Sequence, residues 1–316
     1  MFDDSLPVIR KNFGCQRDWV WRGWKIRYTY VRARQPHGFT PPIVLLHGFG
    51  SSLGQWRSNL QELSEFHSVY AIDFLGFGAS QKASERYNVR LWSDLVRDFC
   101  HHFIRQRAAI VGHSLGALVA LTAVDRTPEI ASHLALFTLP DARPSQGPAF
   151  ARTLERLFAS PLLLSPLFRF VRRPKFLRSV LQKIYRVPEL VDDELVEMFA
   201  TPTLDPGALD VFCRLAQSRS DDDYSERRIE QMLPALSIPV LLIWGEDDRI
   251  VPLSSFYKLL RISEGEDLPY RCQLIKIQKA GHCAYDEYPA RVNQALVNWI
   301  GETLSPFDVR DLTIET

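Results

Sequence analysis

Two kinds of hydrophobic pattern alternate along this chain. Residues 42–46, 68–73, 108–113, 133–139, 239–244 and 272–277 are short and almost continuously apolar. Unbroken runs of four to eight apolar residues predict strands buried on both faces, as in a parallel sheet. Other stretches repeat apolar residues every three to four positions, the helical period: Gln55 to Leu63, the region of Leu91, Leu95, Val96, Phe99, Phe103 and Ile104, and residues 289–300, with Val292, Ala295, Leu296, Trp299 and Ile300 on one face. Residues 19–33 alternate at period two, with Trp19, Trp21, Trp24, Ile26, Tyr28 and Tyr30 around an Arg22-Gly23 turn. That pattern predicts a β-hairpin whose aromatics pack on the sheet. Hairpin and runs together predict eight strands, mostly parallel, flanked by helices. Residues 1–18 carry little pattern and are expected to form a loose arm.

The strand–helix alternation stops between about 141 and 233, where no buried strand is legible. The expected organisation is an α/β core over 1–140, a helical cap or lid insertion over 141–233, and the second part of the core over 234–316. The insertion is split in charge. Residues 151–186 hold nine Arg or Lys against one Glu, among bulky apolar residues such as Leu154, Phe158, Leu167, Phe168, Phe170 and Phe176. Residues 187–233 hold twelve Asp or Glu against four Arg. Basic plus bulky apolar is the composition of a helix lying on an anionic membrane surface, so peripheral contact through 151–186 is one expectation. The same pattern also suits a lid whose apolar side lines a substrate cleft and whose basic side faces water.

Composition narrows the class. A net charge of +1 gives no global field for nucleic acid, and none is expected as a partner. Five scattered cysteines without a CxxC spacing predict neither a disulfide framework nor a zinc site, and an intracellular, cytoplasmic setting follows. The N-terminal residues lack the basic and apolar regions of a secretory signal, and no run approaches the length needed to span a bilayer.

The chemistry is concentrated around Gly112-His113-Ser114-Leu115-Gly116, which follows one apolar run and opens a small-residue helix. This is the strand–turn–helix setting of a G-x-S-x-G nucleophile elbow. A serine hydroxyl needs a base, and the base an orienting acid. Both are available downstream, each just past an apolar run. Gly245-Glu-Asp-Asp248 offers Asp248 as the acid, with neighbouring Asp247 as an alternative. Ala280-Gly281-His282 offers His282 as the base. Asp141, just past the run 133–139, is a further alternative acid. His113 is expected to leave the elbow on another side. Oxyanion donors are expected from the backbone N–H groups of Leu115 and of Phe49, the latter in His47-Gly48-Phe49-Gly50. His47 is expected to brace that loop, and Asp73 with Gly76, Gly78 and Ser80 to form a structural turn. No cofactor or metal is expected.

Taken together, His47-Gly-Phe-Gly, Asp73-Phe-Leu-Gly-Phe-Gly-Ala-Ser80, Gly112-His-Ser-Leu-Gly116, Gly245-Glu-Asp-Asp248 with Val251-Pro252, and Gly281-His282 resemble the α/β-hydrolase superfamily over nearly the whole chain. Serine at 114 separates it from the epoxide-hydrolase and haloalkane-dehalogenase branches, which carry Asp there. Trp19 to Tyr28, Val69 to Asp73, and Ala280-Gly-His-Cys283 with Asp286, Glu287 and Pro289 resemble more narrowly the cyanobacterial and chloroplast hydrolases of the chlorophyll dephytylase and pheophytinase group. That resemblance implies a phytyl or related bulky apolar ester as substrate, and a place beside the thylakoid membrane. The same triad also serves acyl-lipid lipases, acyltransferases, cofactor-free haloperoxidases, carbon–carbon bond hydrolases and ligand receptors that retain it.

Overall fold

Side-chain alternation explains why the strands are apolar without interruption: each is covered on both faces. The computed structural model describes residues 13–35, 40–141, 161–218, 227–263, 268, 272–301 and 311–314. The hairpin is β1 (Cys15–Trp21) and β2 (Trp24–Val31). β1 thus begins inside the expected loose arm. Its first residues are polar, and they are held by cross-strand pairs rather than burial: Arg27 on β2 donates to Asp18 at 2.6 Å and to Gln16 at 3.0 Å. In β3 (Ile43–Leu46), Val44 and Leu46 enter one layer of the core and Ile43 and Leu45 the other.

The helix expected over 55–63 is broken into a 3₁₀ turn, Leu53–Trp56, and a short α1 (Leu60–Leu63). Between them Arg57 and Asn59 turn inward to tertiary partners. β4 (Val69–Ile72) follows, then α2 (Val89–Phe99), which widens into a π turn over Cys100–Ile104. Trp19 and Tyr28 of the hairpin meet Phe99 of α2 edge-on at 5.9 and 5.2 Å between ring centroids, so the aromatic run packs the sheet. β5 (Ala108–His113), α3 (Leu115–Arg126) and β6 (Ala131–Phe137) form the centre.

Between β6 and β7 the described residues are helical: α4 (Pro161–Val171), α5 (Pro174–Ile184), α6 (Asp193–Ala200), α7 (Ala208–Ser218) and α8 (Ile229–Met232). Residues 142–160 and 219–226 of the expected insertion, including Leu154 and Phe158, lie outside the described residues. The core resumes with β7 (Val240–Gly245), α9 (Leu253–Leu260), β8 (Cys272–Ile277), α10 (Ala284–Glu287) and α11 (Pro289–Gly301).

All eight expected strands are present. A ninth, β9 (Asp311–Ile314), pairs in parallel with β8 at the edge. Its four residues, Asp-Leu-Thr-Ile, are too few to mark a strand by periodicity. The strand order is β1-β2-β4-β3-β5-β6-β7-β8-β9, parallel from β4 onward. The chain leaves β3 toward β4 on one side and leaves β5 toward β6 on the other. The carboxyl ends of β3 and β5 therefore flank a topological switch point, where a crevice opens in sheets of this kind.

Candidate active site

The elbow stands at that crevice. Ser114 follows β5 directly and has φ 52° and ψ −117°, a backbone conformation that a residue with a side chain rarely adopts. Close packing enforces it. A Cβ on Gly112 would strike the backbone of Gly116, and one on Gly116 would strike the carbonyls of Leu46 and His47. The helix and both strands therefore approach as only glycine allows. Ser114 N–H donates to the Phe137 carbonyl at 2.9 Å, which pins the turn to β6.

The other expected residues are brought to the same place by the ends of β7 and β8. His282 Nδ1 lies 2.9 Å from Asp248 Oδ2. The second oxygen, Oδ1, accepts the N–H groups of Ile250 at 2.8 Å and Val251 at 2.9 Å. All three partners donate, the set an ionised carboxylate satisfies. The bond to Asp248 places the ring proton of neutral His282 on Nδ1 and leaves Nε2 able to accept one. Asp248 and His282 are both buried.

The two rival acids are placed elsewhere. Asp247 accepts from Arg186 Nε at 2.8 Å, and Asp141 sits exposed at the cavity rim. Ser114 and His282 line one cavity of about 390 Å³, together with Phe49 and Leu115. Leu115 is the first residue of α3, where a backbone N–H has no acceptor within the helix. Phe49 stands on the facing loop. Leu118, Leu181, Ile184, Phe199 and Val251 make much of the remaining wall apolar, three of them from the helices between β6 and β7. Cys283 also lines the cavity, but burial pushes its thiol pKa up and keeps it protonated.

His47 braces the facing loop as expected. Its Nε2 accepts the Phe74 N–H at 3.0 Å and its Nδ1 lies 2.7 Å from the Gly48 carbonyl, the pattern of a neutral ring protonated on Nδ1. Burial holds its pKa down to about 4. Asp73 makes the expected turn, accepting from Leu53 N–H at 2.6 Å and Ala79 N–H at 2.7 Å. His113 departs from expectation. Its ring reaches into the cavity wall and packs against His282, 4.7 Å between centroids, with Nε2 at 3.0 Å from the His282 carbonyl. A carbonyl only accepts, so His113 Nε2 carries the proton and positions the His282 loop.

A second group of residues holds that loop from the insertion side, and sequence reading missed their roles. The Ile184 carbonyl accepts the His282 N–H at 3.3 Å. Glu287 accepts from Gly281 N–H at 2.9 Å, Arg186 N–H at 2.8 Å and Val187 N–H at 3.1 Å. Arg57 contacts Asp286 at 3.1 Å and Asp192 at 2.6 Å and donates to the Leu190 carbonyl. Burial pulls the Arg57 pKa down, but Asp286 and Asp192 more than offset it and keep the guanidinium charged. Partners 135 and 229 residues apart leave no local pattern to find. Among the described residues, no group of three or more His, Cys, Asp or Glu could hold a metal ion. No described helix is long and apolar enough to cross a membrane.

Comparison with known proteins agrees with this fold. The family model described as the alpha/beta hydrolase family matches residues 43–295. The chain belongs to that family. This α/β hydrolase is 26% identical to the hydrolase YugF of Bacillus subtilis over 82% of its own length and 89% of that protein. It is 28% identical to the 2-hydroxymuconate semialdehyde hydrolase of a Pseudomonas species, over 83% of the chain and 87% of that protein. Among solved structures, a meta-cleavage product hydrolase of Pseudomonas fluorescens shares the fold with a TM-score of 0.70 at 23% identity, covering 91% of this chain and 98% of that one.

Proposed function

We propose that this α/β hydrolase cleaves carboxylic esters with a bulky apolar part through an acyl-enzyme on Ser114. The observation that carries the reading is the 2.9 Å contact of Asp248 with His282, which lines the cavity that holds Ser114. His282 Nε2 takes the proton as Ser114 Oγ attacks the ester carbonyl. The N–H groups of Phe49 and Leu115 hold the oxygen that becomes negative. His282 then returns the proton to the departing alcohol. It next activates a water, which releases the acid and restores Ser114.

The apolar wall suits a long acyl or isoprenoid chain. A phytyl ester of the chlorophyll type is the finer substrate reading implied by the sequence resemblance. A second reading is favoured by a relative: carbon–carbon bond hydrolysis, on the likeness to 2-hydroxymuconate semialdehyde hydrolase. As a partner we propose an anionic membrane surface, met by the outer side of α4 and α5. There Leu167 and Phe170 are exposed beside Arg169, Arg173 and Lys175, and Arg172 and Arg173 lie over the rings of Phe168 and Phe170.

The test is turnover of p-nitrophenyl esters of rising chain length, chlorophyll a and 2-hydroxymuconate semialdehyde by wild type and Ser114→Ala. Ester hydrolysis that is abolished in the variant supports the reading. Turnover of the semialdehyde alone moves it to the second, and no Ser114-dependent turnover of any ester overturns the first.

A further inference from the structure

Gly281 gives the loop in front of His282 little stiffness of its own. A Cβ there would lie 2.8 Å from the Ile184 carbonyl oxygen and 2.9 Å from the Arg186 nitrogen, so only glycine lets the chain beyond α5 pass this close. Glycine is also the residue that restrains a backbone least. What fixes His282 must therefore come from outside its loop.

Two such contacts come from the core. The His282 ring meets Asp248 through Nδ1, and the His282 carbonyl meets the His113 ring. The others come from segment 184–187, between α5 and α6. The Ile184 carbonyl accepts the His282 N–H, and the Tyr185 hydroxyl donates to Asp286 Oδ2 at 3.0 Å. Arg186 reaches Asp247, the neighbour of the acid. One segment of the insertion thus touches both the loop of the acid and the loop of the base.

Glu287 ties that segment down. Its Oε1 accepts the Gly281 N–H, while its Oε2 accepts the N–H groups of Arg186 and Val187. One oxygen is bonded to the core and the other to the insertion. The residue is 7% exposed, and bonds to a carboxylate are about twice as strong as those between neutral groups. The contact of Arg186 with Asp247 is roughly half exposed and holds far less. Ile184 also lines the cavity. The part of the insertion that faces the cavity is therefore the part that bonds the base.

We infer that Glu287 is a positioning residue, which locks segment 184–187 onto Gly281 and so holds His282 where it can serve Ser114. The insertion then sets the place of the base and is more than a wall. This rests on the Ser114–His282 reading. Loss of the Glu287 bonds shifts the base while the apolar wall residues stay, so the chemical step suffers and substrate binding is nearly kept.

The test compares wild type, Glu287→Gln, His282→Ala and the double variant. Gln keeps the size of Glu but replaces one acceptor oxygen with an NH2 group, which cannot accept an N–H. Each protein is labelled to completion with a fluorophosphonate, the labelling rate is followed by intact mass, and turnover of p-nitrophenyl butyrate is expressed per labelled chain. Glu287→Gln should reach one adduct per chain, with kcat per labelled chain lowered about 10- to 100-fold and KM changed less than about threefold. Its labelling should slow by a similar factor, yet slow no further when His282→Ala is already present. A merely structural role would instead lower the number of labelled chains or slow both backgrounds alike. Glu287→Asp, which keeps both acceptors one methylene short, should fall between wild type and Glu287→Gln, and it carries the same comparison if Glu287→Gln does not fold. If the ester is not turned over, the labelling rates in the two backgrounds decide alone. An unchanged rate per labelled chain, or equal slowing in both backgrounds, overturns the inference and leaves the triad intact. An unlabelled wild type, or labelling of His282→Ala as fast as wild type, overturns the Ser114–His282 reading and the inference with it.

Discussion

His47 is buried, neutral, and bonded through both ring nitrogens, so acid works against the folded state there. Its pKa is about 4 in the folded chain, against about 6.5 for an exposed histidine. Between those values the unfolded chain binds the extra proton and the folded chain does not. The neutral ring's contribution is thus fully present above about pH 6.5 and is lost as pH falls toward 4. At pH 7 the term is small. At pH 5 the unfolded histidine is about 1.5 pH units below its pKa, worth about 2 kcal/mol at 1.36 kcal/mol per unit, while the folded ring is still mostly neutral. For a chain of this length that corresponds to about 3 °C in melting temperature. Protonating Nε2 would also forfeit the Phe74 N–H bond and loosen the loop that carries Phe49.

The variant is His47→Gln, whose amide oxygen can accept the Phe74 N–H but does not titrate. Wild type and variant are melted at pH 7 and pH 5. The other buried histidines and Asp73, which burial raises to about 6 with the opposite sign, are common to both proteins and cancel in the difference. The wild type should lose about 3 °C more than the variant on acidification. Equal losses would mean that protonation of His47 does not set the acid sensitivity of the fold.

Three further outcomes follow from the geometry. Asp248→Asn should lower kcat by about 10⁴-fold with unchanged melting, whereas Asp247→Asn, which loses only an exposed contact to Arg186, should stay within a few-fold. Arg57→Met strands Asp286, whose side chain is 2% exposed, and should cost about 3–5 kcal/mol, read as a drop of roughly 5–8 °C in melting temperature; adding Asp286→Asn should recover part of it. Replacing Arg169, Arg172, Arg173 and Lys175 with Gln should weaken co-sedimentation with phosphatidylglycerol vesicles at least tenfold, and unchanged binding would remove the membrane-facing role from α4 and α5.

The parts of this molecule legible in its sequence are those governed by local rules. Continuous apolar runs marked β3 to β8 because those strands are covered on both faces, and period-two aromatics marked the hairpin. Ser114 and His282 could be singled out because each stands in a short glycine-bearing loop just past an apolar run. The acid was less distinct: Asp247 and Asp248 are neighbours, and only the folded turn shows that one faces His282 and the other Arg186. What stayed hidden depends on distance along the chain. The helix expected from Gln55 breaks because Arg57 and Asn59 bond residues near position 286. The start of β1 carries no apolar period; Gln16 and Asp18 are held there by side-chain pairs with Arg27. His113 was expected to turn away from the site, yet its ring bonds the carbonyl of His282, 169 residues on.

Every hydrolytic step proposed above depends on Ser114 being a nucleophile activated by His282. That dependence is probed by exposing the protein to a fluorophosphonate, followed by intact-mass spectrometry and peptide mapping. One adduct per chain should form on Ser114, be absent in Ser114→Ala and form far more slowly in His282→Ala. An unmodified wild-type protein, or an adduct on another residue, would contradict it.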